Sequence, residues 1–441
     1  MFAFDPEVKI GTHTFETVRG DGTKLDLLDR AAFGKRLSEL MERDSQPLVV
    51  ALDGAWGSGK SHFLKLWVGT HNQDAAHKAR VVYFDAFARD YLDDPLISLV
   101  AAISSTNEAS KGKTTKAIDK LKAWGLKLAR PAARIAVGVA TSGLSEITLS
   151  VMDAIPDEAL EEVKSGAQAA VDALWQREEG RIAAVEGFHN ALAELAAEQP
   201  LILVIDELDR CRPDYALSLL EVVKHFFAVK GVRFVLGVNL EALEHSVRQR
   251  YGAGVDAGLY LQKFVRLKLV LPQRPNEQAW ESYFTSLCAR LAIRASTRDS
   301  TQKLLLMFKK RPVSLRDVER IAERIALLPA DPANNHTGFQ LALLTAIVLE
   351  TLSNASYTRL RRSSIGAAEI DELFGFEAMA KNGDRFAEQM HSVWSRILLD
   401  EPSPDILRGT EHAFGLLFGD KPMIEPLLRD ILDTFAPPPA R

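Results

Sequence analysis

Apolar positions along the chain fall into two alternating patterns. Short unbroken runs occur at Pro47–Leu52, Arg80–Phe84, Leu201–Ile205, Val232–Val238 and Phe264–Leu271. Runs of this length, bounded by polar or turn residues, predict strands buried on both faces, as in a parallel sheet. The stretches between them carry apolar residues at helical spacing, including Leu25–Met41 ahead of the first run and Leu240–Arg250 after the fourth. Strand alternating with helix predicts an α/β fold built on a parallel sheet.

The link between the second and third runs, from about Ser104 to Pro200, is far longer than a crossover needs. It opens on a Lys-rich stretch and closes on an Ala- and Glu-rich helical stretch, Val171–Ala197, so a helical insertion is expected. The Lys-rich part reads as a solvated helix face or as a docking surface for anionic lipid or nucleic acid. Beyond Pro272 helical spacing dominates, at Gln278–Leu291, Thr301–Lys309, Leu315–Leu328 and Gln340–Leu352, with a polar break at Ala330–Thr337 and a frayed tail at Ala436–Arg441. The expected organisation is a helical lead-in over 1–46, a nucleotide-binding α/β domain over 47–272 carrying the insertion at about 104–200, and a helical C-terminal lid or effector region over 273–441.

Composition narrows the class. With 47% hydrophobic and 26% charged residues among 441, the chain has the makings of a sizeable soluble core. A formal net charge of −5 provides no global basic field, which argues against nucleic acid as the main partner. Cys211 and Cys288 form no CxxC pair and lie near no His cluster, so a reducing, cytoplasmic setting fits. The low-charge segment Arg134–Met152 has an uncharged core, Ile135–Ser145, that is too short to span a bilayer. Peripheral membrane contact is left open; a spanning helix is not expected.

The chemistry concentrates after the first run. Gly54-Ala55-Trp56-Gly57-Ser58-Gly59-Lys60-Ser61 fits GxxxxGK[ST] without mismatch, between a predicted strand and a helix that starts near His62. Glycines let consecutive backbone N–H groups converge on phosphate oxygens, and the helix N-terminus favours anions. Residues 54–62 are therefore the expected nucleotide cradle, with Lys60 on the β- and γ-phosphates and Ser61 on Mg²⁺. The third run delivers Asp206 at its C-terminal tip, where open α/β sheets bind ligands, as the second Mg²⁺ residue. Glu207 is the expected general base and Asp209 its rival; both also suit the start of a helix. Asn239, at the end of the fourth run, reads as a γ-phosphate sensor or as an N-cap.

Four blocks in this order resemble the KAP family of P-loop NTPases: the Trp-containing loop 54–61; Tyr83-Phe84-Asp85-Ala86-Phe87 with Pro95-Leu96; Asp206-Glu-Leu-Asp209-Arg210-Cys211-Arg-Pro213 with Leu220-Glu221 and Lys224; and Tyr251-Gly252, Tyr260-Leu261, Lys263-Phe264 and Leu271-Pro272. The chain departs from the family pattern at Asp85 and Phe87, which stand for Asn and Trp, at Glu207 for Asp, and at Asn239 for Asp. The resemblance implies the additional-strand type of P-loop core with a helical C-terminal extension. Many relatives insert transmembrane helices after the second block; here the matching insertion is too polar to span.

The expected function is that of an ATP-binding, ATP-hydrolysing switch, set by the resemblance in bacterial anti-phage defence with an unidentified protein partner. The alternative is a low-turnover ATP-binding scaffold for a membrane-proximal or signalling assembly. An arginine is expected to complete the site. It comes either from Arg248 or Arg250 of a neighbouring copy in a homo-oligomer, or in cis from Arg316 or Arg320.

Overall fold

The computed structural model describes residues 8–20, 22–43, 47–91, 94–105, 113–128, 183–226, 228–272, 277–328, 337–362 and 364–398. The segment Arg134–Met152, most of the insertion, the break at Ala330–Thr337 save its last residue, and the tail lie outside the described residues.

The five apolar runs form one parallel five-stranded sheet: β1 Leu48–Asp53, β2 Arg80–Asp85, β3 Leu201–Asp206, β4 Val232–Val238 and β5 Leu267–Val270, in the order β2-β3-β4-β1-β5. Placing β4 between β1 and β3 is the additional-strand arrangement. Burial follows position. Every residue of β3 and β4 is buried, whereas β5, at an edge, has Leu267 and Val270 exposed. This explains why continuous apolar runs mark the central strands.

Helices cover both faces. Pro95–Ser105, Lys113–Leu128, the helix at 183–198, Pro213–Lys224 and Leu240–Tyr251 pack one face around Leu203, Ile205, Phe234 and Leu236. The lead-in helix Ala31–Glu42 and the helix Lys60–Gln73 cover the other, around Val50, Leu52, Val204 and Trp67. A third apolar cluster, from Trp280 to Trp394, is built by helices and by Phe308, Val313 and Ile365 from the links between them.

Boundaries differ from the sequence reading where polar groups intervene. The lead-in helix starts at Ala31, not Leu25, because the Asp26 carboxylate accepts the N–H groups of Arg30 at 3.0 Å and Ala31 at 2.9 Å. The described residues between 8 and 30 hold no helix; they form turns and the isolated bridge Val18–Lys24. The helix expected over Thr301–Lys309 begins earlier, at Ala295, and the last strand shortens to Leu267–Val270. Among the described residues no helix is long and apolar enough to cross a membrane.

Candidate nucleotide site

Register brings the chemistry together. Asp85 pairs with Asp206, Asp206 with Gly237, and Asp53 with Val238, so the carboxyl ends of four strands finish level. The chain leaves β1 through residues 54–59, and the helix Lys60–Gln73 follows directly. Gly57 and Gly59 take φ of +79° and +80°, the left-handed backbone that glycine adopts at least cost. The Gly54 N–H stays tied to the Val238 carbonyl at 3.2 Å.

Lys60 is buried and its ammonium donates to the Gly54 carbonyl, with Ala55 O at 3.4 Å. Burial pulls its pKa down, and the opposing charges of Asp209, Asp206 and Asp53 resist that shift. Asp206 is fully buried. Burial pushes its carboxyl up to about 6, against hydrogen bonds from Tyr83 and Ser61. The Tyr83 hydroxyl donates to Asp206 Oδ2 at 2.7 Å and the Glu207 N–H to Oδ1 at 2.9 Å. A Cβ on Gly237 would lie 2.3 Å from Asp206 Oδ1, so a side chain on the neighbouring strand would displace the carboxylate.

Glu207 sits at φ +59°, an unusual backbone region for a residue with a side chain. Its Oε1 accepts the Ser61 hydroxyl at 2.9 Å and its Oε2 the Arg210 guanidinium at 3.1 Å. Asp209 is held differently: Trp56, itself 52% exposed, donates its indole N–H to Asp209 Oδ2. Asn239 caps the helix Leu240–Tyr251, accepting from Ala242 N at 3.4 Å, and does not line the cavity. His62 lines it and bonds the Leu25 carbonyl at 3.0 Å.

A cavity of about 230 Å³ runs over this site. Besides Trp56–Ser61, Asp206, Glu207 and Asp209, its walls include Arg30 from the lead-in and Arg316 from the helix Leu315–Ala326. Ser314 and Asp317 form a reciprocal capping box at the start of that helix. Burial alone would raise the Asp317 pKa, but the two-pronged bond from Arg311, at 2.7 and 3.1 Å, holds it below the usual range. The cap places the Leu315 N–H on the Gly57 carbonyl at 3.1 Å. A Cβ on Gly57 would meet Arg316 Cβ at 2.8 Å, so the helix rests on the phosphate loop itself. Arg248 pairs with Glu244 at 2.7 Å, and neither Arg248, Arg250 nor Arg320 lines the cavity.

Two contributors escaped the sequence reading. Arg30, 4% exposed, donates to the carbonyls of Ser58 at 2.9 Å and Pro272 at 2.8 Å, with Gly59 O at 3.4 Å. No spacing signal marks it. Gly237 had one: an isolated glycine inside an apolar strand run points to close approach by a neighbour.

The donor set suits Mg²⁺. Ser61 and Asp206 are hard oxygen ligands, and this ion binds through one or two protein oxygens while keeping several waters. Among the described residues no cluster of His, Cys, Asp and Glu suggests another metal.

No curated protein sequence matches the chain. Among solved structures it is similar to the Aeropyrum pernix ORC2 protein, in its ADPNP–ADP complexes, with 13% identity and a TM-score of 0.34. That match covers 93% of this chain and 89% of the other. The likeness is too slight to bear on the site. The model of the KAP family P-loop domain matches residues 30–330, from the clamping Arg30 through the phosphate loop and the Asp206 strand to beyond the helix that rests on Gly57. The chain belongs to the KAP family of P-loop NTPase domains.

Proposed function

We propose that this chain binds ATP with Mg²⁺, hydrolyses it, and uses the C-terminal helices to report the state of the nucleotide. The observation that carries the reading is the Leu315 N–H on the Gly57 carbonyl, within one cavity that also holds Lys60, Asp206 and Glu207. A phosphate settling on the loop N–H groups changes the loop that this helix touches.

Residues 54–62 form the cradle, and Lys60 clamps the β- and γ-phosphates. Ser61 and Asp206 would hold Mg²⁺, which neutralises phosphate charge when bound. Glu207 accepts a proton from the attacking water. Asp209, held by Trp56 through one oxygen, is the rival base. Arg316 supplies charge in cis from the helix over Gly57. Arg248, already paired with Glu244, fits a trans role less well.

A second reading, a low-turnover ATP-binding scaffold, has its own support. Both Glu207 oxygens are engaged, by Ser61 and Arg210, and a general base so occupied turns over slowly until released. The anti-phage setting rests on the family resemblance alone, and an unidentified protein partner would read the switch.

Calorimetry and phosphate release on the full chain test the reading. Lys60→Ala loses charge-assisted hydrogen bonds worth ~1.5–3 kcal/mol each, so ATP affinity falls more than tenfold. Unchanged affinity would overturn the phosphate-site assignment. Specific activity independent of protein concentration, abolished by Arg316→Ala, supports the cis arginine. Activity that rises with concentration assigns the arginine to a neighbouring copy. Plaque counts on cells carrying the wild-type or Lys60→Ala chain test the defence setting.

A further inference from the structure

The cavity continues past the phosphate loop onto surfaces that the phosphate chemistry does not use. The lead-in contributes Leu25 and Leu28, the phosphate-loop helix Phe63, and the C-terminal helices Tyr283, Leu287 and Glu319. Leu25, Leu28, Phe63 and Leu287 are buried and apolar, walls suited to a flat heteroaromatic ring. Two carboxylates stand among these elements. Asp26 is spent on the start of the lead-in helix, where it accepts the N–H groups of Arg30 and Ala31. Glu319 is not a cap. It is half-buried at the cavity wall, and Tyr283, another wall residue, donates its hydroxyl to Glu319 Oε1 at 2.6 Å.

A carboxylate is an acceptor only. The same cavity wall also carries Arg19, Ser286 and Arg290, so the slot is mixed; within it the carboxylate favours a ring that offers an N–H and disfavours one that presents a carbonyl at the same position. Adenine carries an amino group at the ring position where guanine and hypoxanthine carry an oxygen. We propose that Glu319, oriented by Tyr283, accepts a hydrogen bond from the exocyclic amino group of adenine and so determines base specificity. This inference rests on the nucleotide-binding reading above.

The test uses the full chain, calorimetry, and two ligands: ATP and purine riboside triphosphate, which lacks the amino group. The wild type prefers ATP by about tenfold or more, the scale of one charge-assisted hydrogen bond. Glu319→Ala brings the two affinities together by weakening ATP and leaving the analogue unchanged. Tyr283→Phe narrows the ratio without abolishing it. It also provides a second route should Glu319→Ala fail to fold, which circular dichroism detects. Lys60→Ala weakens both ligands and preserves their ratio. Equal wild-type affinity for the two ligands, or an ATP preference that survives in both Glu319→Ala and Tyr283→Phe, overturns the assignment. An unchanged ATP affinity in Lys60→Ala instead strikes the underlying phosphate-site reading, so the two failures are distinguishable.

Discussion

Replacing Arg30 by Met keeps the apolar stem and removes the donors that join the phosphate loop to the end of the sheet. Two of the three bonds are short, to Ser58 O at 2.9 Å and Pro272 O at 2.8 Å; the third, to Gly59 O, is long at 3.4 Å. Hydrogen bonds to a charged group are worth ~1.5–3 kcal/mol each after competition with water, so two good ones contribute ~3–6 kcal/mol. Burial pulls the guanidinium down from 12.5 to about 10 despite Asp26, which puts the loss at the lower end of that range. Arg30→Met therefore loses ~3 kcal/mol and folds. ATP binding fares worse. With no guanidinium behind them, the Ser58 and Gly59 peptides lose the tie that fixes how their N–H groups face the phosphates, and affinity falls at least tenfold. Both short bonds come from one nitrogen, Nη2, and the long one comes from Nη1, so Arg30→Lys, with a single ammonium, recovers at most part of the affinity. Thermal melts and ATP calorimetry on the same preparations separate the two effects. Wild-type affinity in Arg30→Met would refute the positioning role.

Glu207→Gln cuts phosphate release by ~10²-fold while keeping ATP bound, the scale of a lost general base. Asp209→Asn costs less, and the reverse order would transfer the role to Asp209. Gly57→Ala places a Cβ at φ +79°, costing ~1–2 kcal/mol in backbone strain, and drives it 2.8 Å from Arg316 Cβ. ATP affinity should drop tenfold or more, and an unaltered value would show that the helix over the loop gives way freely. His71 supplies the pH dependence. It is buried beside Ser38 and Glu42 and stacked on His77 at 4.1 Å; burial first, then the His77 charge, lowers its pKa from 6.5 to about 4. A lowered histidine contributes stability that is complete above 6.5 and declines as pH falls toward 4. About 2 kcal/mol is lost by pH 5. The melting temperature of the wild type should fall more steeply than that of His71→Asn between pH 7 and pH 5; parallel curves would exclude this residue as the cause.

The phosphate loop was legible because its chemistry is local. Contiguous backbone N–H groups, a lysine and a hydroxyl must follow one another for one phosphate chain, so the pattern survives in a single window, residues 54–61. Asp206 was legible for a related reason: a buried strand that ends on a carboxylate delivers it to the ligand edge of the sheet. Glu207 and Asp209 were visible as alternatives. Only the three-dimensional partners, Ser61 and Arg210 for the first and Trp56 for the second, distinguish their surroundings. Asn239 read as a sensor first and a cap second; the structure shows it accepting from Ala242 N as a cap and leaves it out of the cavity wall.

By itself the sequence determined the α/β class, the five strands, the burial of the central ones, and the contiguous phosphate-loop motif. Each of these depends on near neighbours along the chain: periodicity, turn residues and a contiguous motif. The tertiary structure alone decided the strand order that sets β4 between β1 and β3. It also placed Tyr83 and Gly237 around Asp206, bound Arg30 to carbonyls at positions 58 and 272, and seated Leu315 and Arg316 on Gly57. These pairings join residues far apart in the chain. They are selected by shared burial and by the need of buried carbonyls and carboxylates for donors, a requirement that no local window of sequence expresses.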